Sequence, residues 1–278
     1  MKVVLFCGGK GLRMREASST IPKPMIGIGG RPVLWHVMKY FAHHGHTDFI
    51  LCLGYQQEVI KDYFLNYRET MSNDFVLSGG GSDVRLLAED ISDWRISFIN
   101  TGHDANVGER LRRVREHIGD DEYFLANYGD VLTDAPLNTM VDDFVGSDKV
   151  VSFLSVPPRY TFHTVSVADD GRTVSAVRDV ADSEIWVNGG YFAIRRDIFD
   201  YMEPGEELVT DVFSKLVPRG LVATHRHRGF WAPMDTLKEQ QELEAMVDAG
   251  GGPWRLWEKA AAHEPESNGR SPAAAVTA

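Results

Sequence analysis

Five short apolar runs set the terms on which this chain folds: KVVLFC (2–7), DFILCLGY (48–55), RISFIN (95–100), YFLAN (123–127) and KVVSFLSV (149–156). A strand with one wet face alternates polar and apolar residues, and most of these runs do not, so they read as strands covered on both faces. Between them lie segments of helical period. RPVLWHVMKYFAHHG (31–45) sets Val33, Leu34, Val37, Met38 and Phe41 on one face, with Pro32 suited to its first turn and Gly45 to its end. QEVIKDYFLNY (57–67) reads as a second helix, and a third is expected at about 107–118, with arginines at 110, 112, 113 and 115. Strands alternating with helices predict a mainly parallel, Rossmann-like α/β sheet with helices on both faces. Such sheets bind ligands at the carboxyl ends of their strands.

The pattern changes near residue 157. FHTVSVADDGRTVSAV reads as two short strands around an Asp-Asp-Gly turn, and IWVNGGYFAI as another strand pair, so a smaller antiparallel, β-rich part is expected. Helices are expected at about 209–217, 235–248 and 251–260. Residues 71–94 read as a loop or β-excursion that covers the site or meets another subunit. The division expected is one domain over 1–261, with a core at about 1–156, the smaller part at about 157–234 and closing helices at 235–261. The segment 262–278 has almost nothing to bury and is expected to be disordered.

Lys plus Arg number 29 against 40 Asp plus Glu, a net charge of −11, which argues against nucleic acid as a partner. Cys7 and Cys52 stand in apolar strands without a CxxC partner and read as buried free thiols. No run approaches the roughly 20 apolar residues of a membrane helix, and no segment reads as a signal peptide, so a cytoplasmic protein without a membrane partner is expected.

The functional signal starts directly after the first strand, in FCGGKGLRMREASSTIPKPM (6–25). A glycine-rich turn there points backbone N–H groups into one concavity that suits an anion. A P-loop requires Ser or Thr after Gly-Lys, whereas Gly11 is followed by Leu12 and Arg13; a dinucleotide fingerprint is weakened by Met14 at its third glycine position. Gly-Gly-x-Gly-x-Arg followed by Lys-Pro instead matches a nucleotidylyltransferase loop, with Gly8, Gly9, Gly11, Arg13 and Lys23. Asp130 follows a strand in YGD, where a carboxylate is placed to hold Mg²⁺. Asp235 stands in GFWAPMDT, either as a second metal ligand or as a helix N-cap.

With these segments in place the chain resembles the sugar-1-phosphate nucleotidylyltransferases, and within them the glucose-1-phosphate cytidylyltransferases, from Lys2 to about Glu258. The resemblance is carried by KPMIGIGGRPVLWHVMKYFAHHGHTDFILCLGYQQEVIKDYF and by YGD, VNGGYF, GFWAPMDTL and PWRLWE. It implies the nucleotide-diphospho-sugar transferase fold, a nucleoside triphosphate (CTP by this subfamily) and a phosphorylated sugar-like acceptor as ligands, Mg²⁺ as cofactor, and a homo-oligomer. By the same resemblance Gly8, Gly9 and Gly11 pass close to the nucleotide, Gly108 lies near the base, and Arg110 points to the active site. Arg13 neutralises the leaving pyrophosphate, Lys23 holds the α-phosphate, Asp130 and Asp235 share the metal, and Asn188 and Gly189 border the sugar.

Four departures from the family pattern accompany this likeness. Leu12 replaces a Thr, Asp179 falls where a phosphate-holding lysine belongs, His163 occupies a glycine position, and Asp211 stands for a missing Glu. Three of the four fall in the acceptor region, where Arg178 lies beside Asp179. The expectation is therefore that nucleotide activation is kept while the acceptor differs from plain glucose 1-phosphate. The alternatives are a non-catalytic nucleotide-sugar-binding homologue and a nucleotidylyltransferase acting on a non-sugar phosphate.

Overall fold

The computed structural model describes residues 1–9, 21–159 and 162–261. β1 (Lys2–Phe6) opens it, and a tight turn at Lys23–Met25 leads into the short ladder β2 (Gly27–Ile28) and β3 (Arg31–Pro32). Next come α1 (Val33–His43), β4 (Asp48–Leu53), α2 (Gln57–Leu65), α3 (Glu69–Ser72) and a hairpin of β5 (Phe75–Ser78) with β6 (Asp83–Leu86). β7 (Arg95–Asn100), α4 (Val107–Arg113), α5 (Arg115–Ile118), β8 (Tyr123–Asn127), β9 (Val131–Thr133), α6 (Leu137–Val145) and β10 (Val151–Val156) follow. A second hairpin, β11 (His163–Val167) and β12 (Val174–Asp179), precedes β13 (Val187–Arg195), α7 (Phe213–Leu216), β14 (Val222–Arg226), β15 (Trp231–Pro233), α8 (Leu237–Asp248) and α9 (Leu256–Ala261).

Among the described residues the main sheet has seven strands in the order β14-β10-β13-β8-β1-β4-β7. Every pairing within it is parallel except the two made by β13, which runs against both β8 and β10. The expected α/β class with accompanying antiparallel ladders is what the chain adopts. Alternate residues of β1 explain the unbroken apolar run. Val3 and Leu5 pack with α1 and α6 on one face, while Val4 and Phe6 pack with Leu111 of α4 and Phe213 of α7 on the other. Val33, Leu34, Val37, Met38 and Phe41 of α1 are almost wholly buried, as their spacing requires. Each such side chain contributes about 1.5–3 kcal/mol of transfer free energy.

The structure differs from the reading of the sequence in three places. IWVNGGYFAI is one long strand, β13, rather than a strand pair, because it is the antiparallel insert that welds β8 to β10. The helix expected over 107–118 is broken at Val114 into α4 and α5. Helix α6 went unread, although Leu137, Met140, Val141 and Phe144 have helical spacing and are all buried. Residues 71–94 are indeed a β-excursion: Glu69 accepts the amides of Asp90 and Ile91, and Asp90 pairs with Arg31 at 2.6 Å. No helix among the described residues is long and apolar enough to cross a membrane, and the tail 262–278 lies outside them.

The closing segment is tied to α1 by a buried ring. His36 Nε2 lies 2.8 Å from the Ile28 carbonyl, and Trp254 Nε1 donates to His36 Nδ1 at 3.2 Å. That pattern requires the neutral tautomer with its proton on Nε2. Burial accordingly depresses the His36 pKa to about 4, with the Ile28 bond pulling weakly the other way. An unfolded histidine takes its proton near pH 6.5, so the stability this ring confers is complete above that pH. It is lost as pH falls through about 4, by roughly 3 kcal/mol in all. NMR titration should find the His36 ring still neutral at pH 5, while thermal midpoints fall progressively between pH 6.5 and 4.

Candidate active site

The carboxyl ends of β1, β4, β7, β8, β10 and β14 share one edge of the sheet, and the antiparallel β13 brings its beginning, Val187 and Asn188, to that same edge. The candidate site forms there. Asp130 follows β8 by way of Gly129, which sits at φ +79° and would bring a side chain within 3.3 Å of Cys7 Sγ. The Asn127 side chain shapes this turn by accepting the Gly129 amide and donating to the Gly190 carbonyl. Asp235 arrives from another direction. β9 leaves Asp130 and β15 returns antiparallel to it, with Pro233 opposite Val131, so the aspartates before β9 and after β15 share one end of the ladder. The Met234 amide donates to the Asp130 carbonyl at 3.0 Å and closes that end.

Lys23 is the third member. Prolines on either side restrict its backbone, and Pro24 and Met25 are buried. Its ammonium reaches Asp130 Oδ2 at 2.6 Å and forms a short contact with Asp235 Oδ1. Gln240 of α8 donates to the Gly27 carbonyl and Glu244 accepts the Gly29 amide, tying the segment after Lys23 to the helix after Asp235. Burial opposes the charge on Lys23, yet the charges and hydrogen bonds of the two aspartates outweigh it and raise its pKa. Burial pushes the Asp130 carboxyl up, and Lys23 only partly offsets this. The N-cap reading of Asp235 is also decided: Thr236 caps α8 in a capping box with Glu239.

Among the described residues no three His, Cys, Asp or Glu gather as a metal site. The donors of Asp130 and Asp235 nonetheless converge on one cation. Two carboxylates so placed fit Mg²⁺, which keeps waters and takes phosphate oxygens for its remaining ligands.

Arg110 stands under the loop after β1. It is buried, 4% exposed, and its guanidinium donates to the carbonyls of Gly8, Leu53, Gly102 and His103 and to the Thr101 hydroxyl. It staples the loops after β1, β4 and β7. A side chain on Gly8 would lie 2.1 Å from that guanidinium, which accounts for a glycine there by packing. A side chain on Gly108 would meet the Glu206 carbonyl at 2.2 Å, so a glycine there lets α4 press on that backbone. Gly9 has open space around it. Gly11, Leu12 and Arg13 lie outside the described residues.

Asn188 donates to the Tyr128 hydroxyl at 3.0 Å and accepts the Gly190 amide, and Gly189 offers its carbonyl to Trp231 Nε1. A cleft of about 700 Å³ beside them is lined by Asp179, Arg159, Arg228, Phe230 and Trp231, among others. His163 stands opposite Asp179 on the β11–β12 ladder, and Arg178 opposite Thr164; neither lines that cleft. Asp211 accepts the Glu207 amide at 2.7 Å and serves the turn before α7. Arg228 and Trp231 were missed in the sequence, although both stand within a few residues of the GFWAPMDT motif.

The site is thus a lysine-bridged aspartate pair at the carboxyl edge of an α/β sheet, the edge at which such sheets bind ligands. The chain belongs to the nucleotidyl transferase family, whose model matches residues 2–235. It is 36% identical over 259 residues to a Bacillus subtilis protein named "Probable glucose-1-phosphate cytidylyltransferase", covering 92% of this chain and 100% of the relative. It is 34% identical over 264 residues to the glucose-1-phosphate cytidylyltransferase of Salmonella typhi, covering 93% and 100%. Among solved structures, a UTP-bound UGPase from Acinetobacter baumannii superposes with a TM-score of 0.67 at 17% identity, covering 95% of this chain and 99% of that one. HddC from Yersinia pseudotuberculosis gives 0.62 at 17%, covering 88% and 99%. These structures share the nucleotide-diphospho-sugar transferase fold with the chain; its place in a nucleotidyltransferase enzyme family rests on the family model and the relatives above 30% identity.

Replacing Arg110 with Met should leave several buried carbonyls unpaired and lower stability by about 3 kcal/mol, read as a shift of the urea midpoint. Gly8→Ala should destabilise in the same assay, since its methyl must displace that guanidinium.

Proposed function

We propose that this protein is a Mg²⁺-dependent cytidylyltransferase that joins CTP to a sugar 1-phosphate, either glucose 1-phosphate or a modified sugar-like phosphate, giving a CDP-sugar and pyrophosphate. The observation that carries the reading is the convergence of Lys23, Asp130 and Asp235 at the ligand edge of the sheet. The lean to CTP rests on the cytidylyltransferase relatives at 34–36% identity.

The acceptor phosphate has a second pKa of about 6, so it is mostly a dianion at neutral pH and needs no catalytic base. One of its oxygens attacks the α-phosphorus in line; the new P–O bond forms as the bond to the bridging oxygen breaks, and pyrophosphate departs with that electron pair. The obstacle is repulsion between anions. Lys23 lies where it would hold the α-phosphate and its developing charge, and Arg13, by resemblance, would face the pyrophosphate. Asp130 and Asp235 would hold Mg²⁺, which when bound supplies further positive charge to the phosphates. The backbone amides of Gly8 and Gly9 complete the cradle, and Arg110 supports them from beneath. The chain is also proposed to act as a homo-oligomer; the exposed Phe75, Leu77 and Val84 of the β5–β6 hairpin support that reading.

Pyrophosphate release from CTP and a sugar 1-phosphate should stop when metal is chelated and return with Mg²⁺. Lys23→Met should cut kcat by about 10²–10³, the usual cost of losing one such charge donor. Asp130→Asn should cut it comparably and raise the Mg²⁺ concentration needed. Unchanged release in Asp130→Asn would remove Asp130 from the reaction, and absence of release from the wild-type protein with CTP binding retained would favour the non-catalytic nucleotide-sugar-binding homologue instead.

A further inference from the structure

The cleft beside Asn188 carries a charge pattern that nucleotidyl transfer does not require. Two guanidinium groups line it. Arg159 Nη1 donates to the Trp231 carbonyl at 2.7 Å, and the group lies 5.4 Å from the Phe230 ring centre. Arg228 lies 4.8 Å from the ring centre of Trp186, whose ring also holds Arg226 at 5.0 Å. Among the described residues no carboxylate lies within ion-pair distance of Arg159 or Arg228. The carboxylate in the cleft wall, Asp179, accepts the Ala181 amide at 2.9 Å. In a chain of net charge −11, two cations held by ring stacking and a carbonyl, rather than by carboxylates, stand ready for an anion from outside.

The cleft also has a fixed distance from the reacting centre. Trp231 lines it, and β15 runs from Trp231 toward Asp235, four residues on. At about 3.3 Å per residue that is roughly 13 Å. A phosphate held near Asp235 would let the remote end of the same molecule extend toward the cleft and the two arginine side chains. Guanidinium forks match carboxylates and phosphates in bidentate geometry.

We propose that Arg159 and Arg228 bind a second anionic group of the acceptor, at the end remote from the attacking phosphate. The acceptor is then a sugar phosphate carrying a further carboxylate or phosphate. This rests on the nucleotidylyltransferase reading above and explains how an acceptor site with Asp179 in its wall remains a site for acidic molecules.

The test is steady-state pyrophosphate release with CTP and Mg²⁺ from three acceptors: glucose 1-phosphate, glucuronic acid 1-phosphate and glucose 1,6-bisphosphate. One of the two doubly acidic acceptors should exceed glucose 1-phosphate in kcat/KM by about 10–100-fold, through KM, the range of one or two charge-assisted hydrogen bonds. Which one does so tells carboxylate from phosphate. Arg228→Gln and Arg159→Gln should each collapse that ratio toward one, and Arg228→Lys should restore part of it. CTP binding by calorimetry checks that the variants are folded. A wild-type preference for glucose 1-phosphate, or a ratio unchanged in both Gln variants, overturns the proposal while leaving the nucleotidylyltransferase reading intact. Absence of release from every acceptor overturns both.

Discussion

The Lys23 ammonium shared by Asp130 and Asp235 is the interaction on which the rest of the site depends. It joins three segments far apart in the chain: a proline-locked turn after β1, the end of β8, and the end of the β9–β15 ladder. Two partly buried carboxylates this close repel each other unless a cation lies between them. The same point is therefore suited to a cation. The supports around it are hydrogen bonds to backbone groups: the capping box of α8, the Asn127 clasp on Gly129, and the Gln240 and Glu244 bonds to the loop after Lys23.

A second cation is handled in the opposite way. Arg110 is almost wholly buried yet meets carbonyl dipoles and a hydroxyl rather than carboxylates, and burial lowers its pKa in consequence. Because those carbonyls come from three adjacent strand ends, one side chain sets the spacing of the loops that would cradle a nucleotide. Around the cleft lined by Trp231 the cations stand on exposed arms instead, stacked on Trp186 and Phe230. One fold edge thus has an inner, dry tier of positioning and an outer, wet tier of recognition.

Much of this was legible in the sequence, and particular residues show why. The unbroken apolar runs of β1, β4 and β8 announce strands covered on both faces, since period and burial are local consequences of residue type. Lys23, Asp130 and Asp235 were legible as candidates because each sits in a distinctive local motif at a strand end or a Pro-bracketed turn. The carbonyl partners of Arg110 were not legible, because an arginine after a strand–helix turn has the same local pattern whatever its partners. Arg228 was passed over because its functional neighbours, Arg159 and Asp179, are 69 and 49 positions away in the chain. The reversed direction of β13 was also hidden, since an apolar run carries no mark of the partner it will run against.

What the sequence determined by itself is the alternation of buried strands and amphipathic helices, and with it the sheet edge at which such folds bind ligands. Local propensity and hydrophobic period depend only on near neighbours, so they survive without a fold. Tertiary structure alone decided which charges meet. It placed Lys23 between two aspartates, turned Arg110 inward, released Asp235 from capping duty and gathered the two cleft arginines. Those outcomes depend on a few ångströms of separation between segments tens to hundreds of residues apart, and electrostatic and hydrogen-bond energies fall off over that same scale.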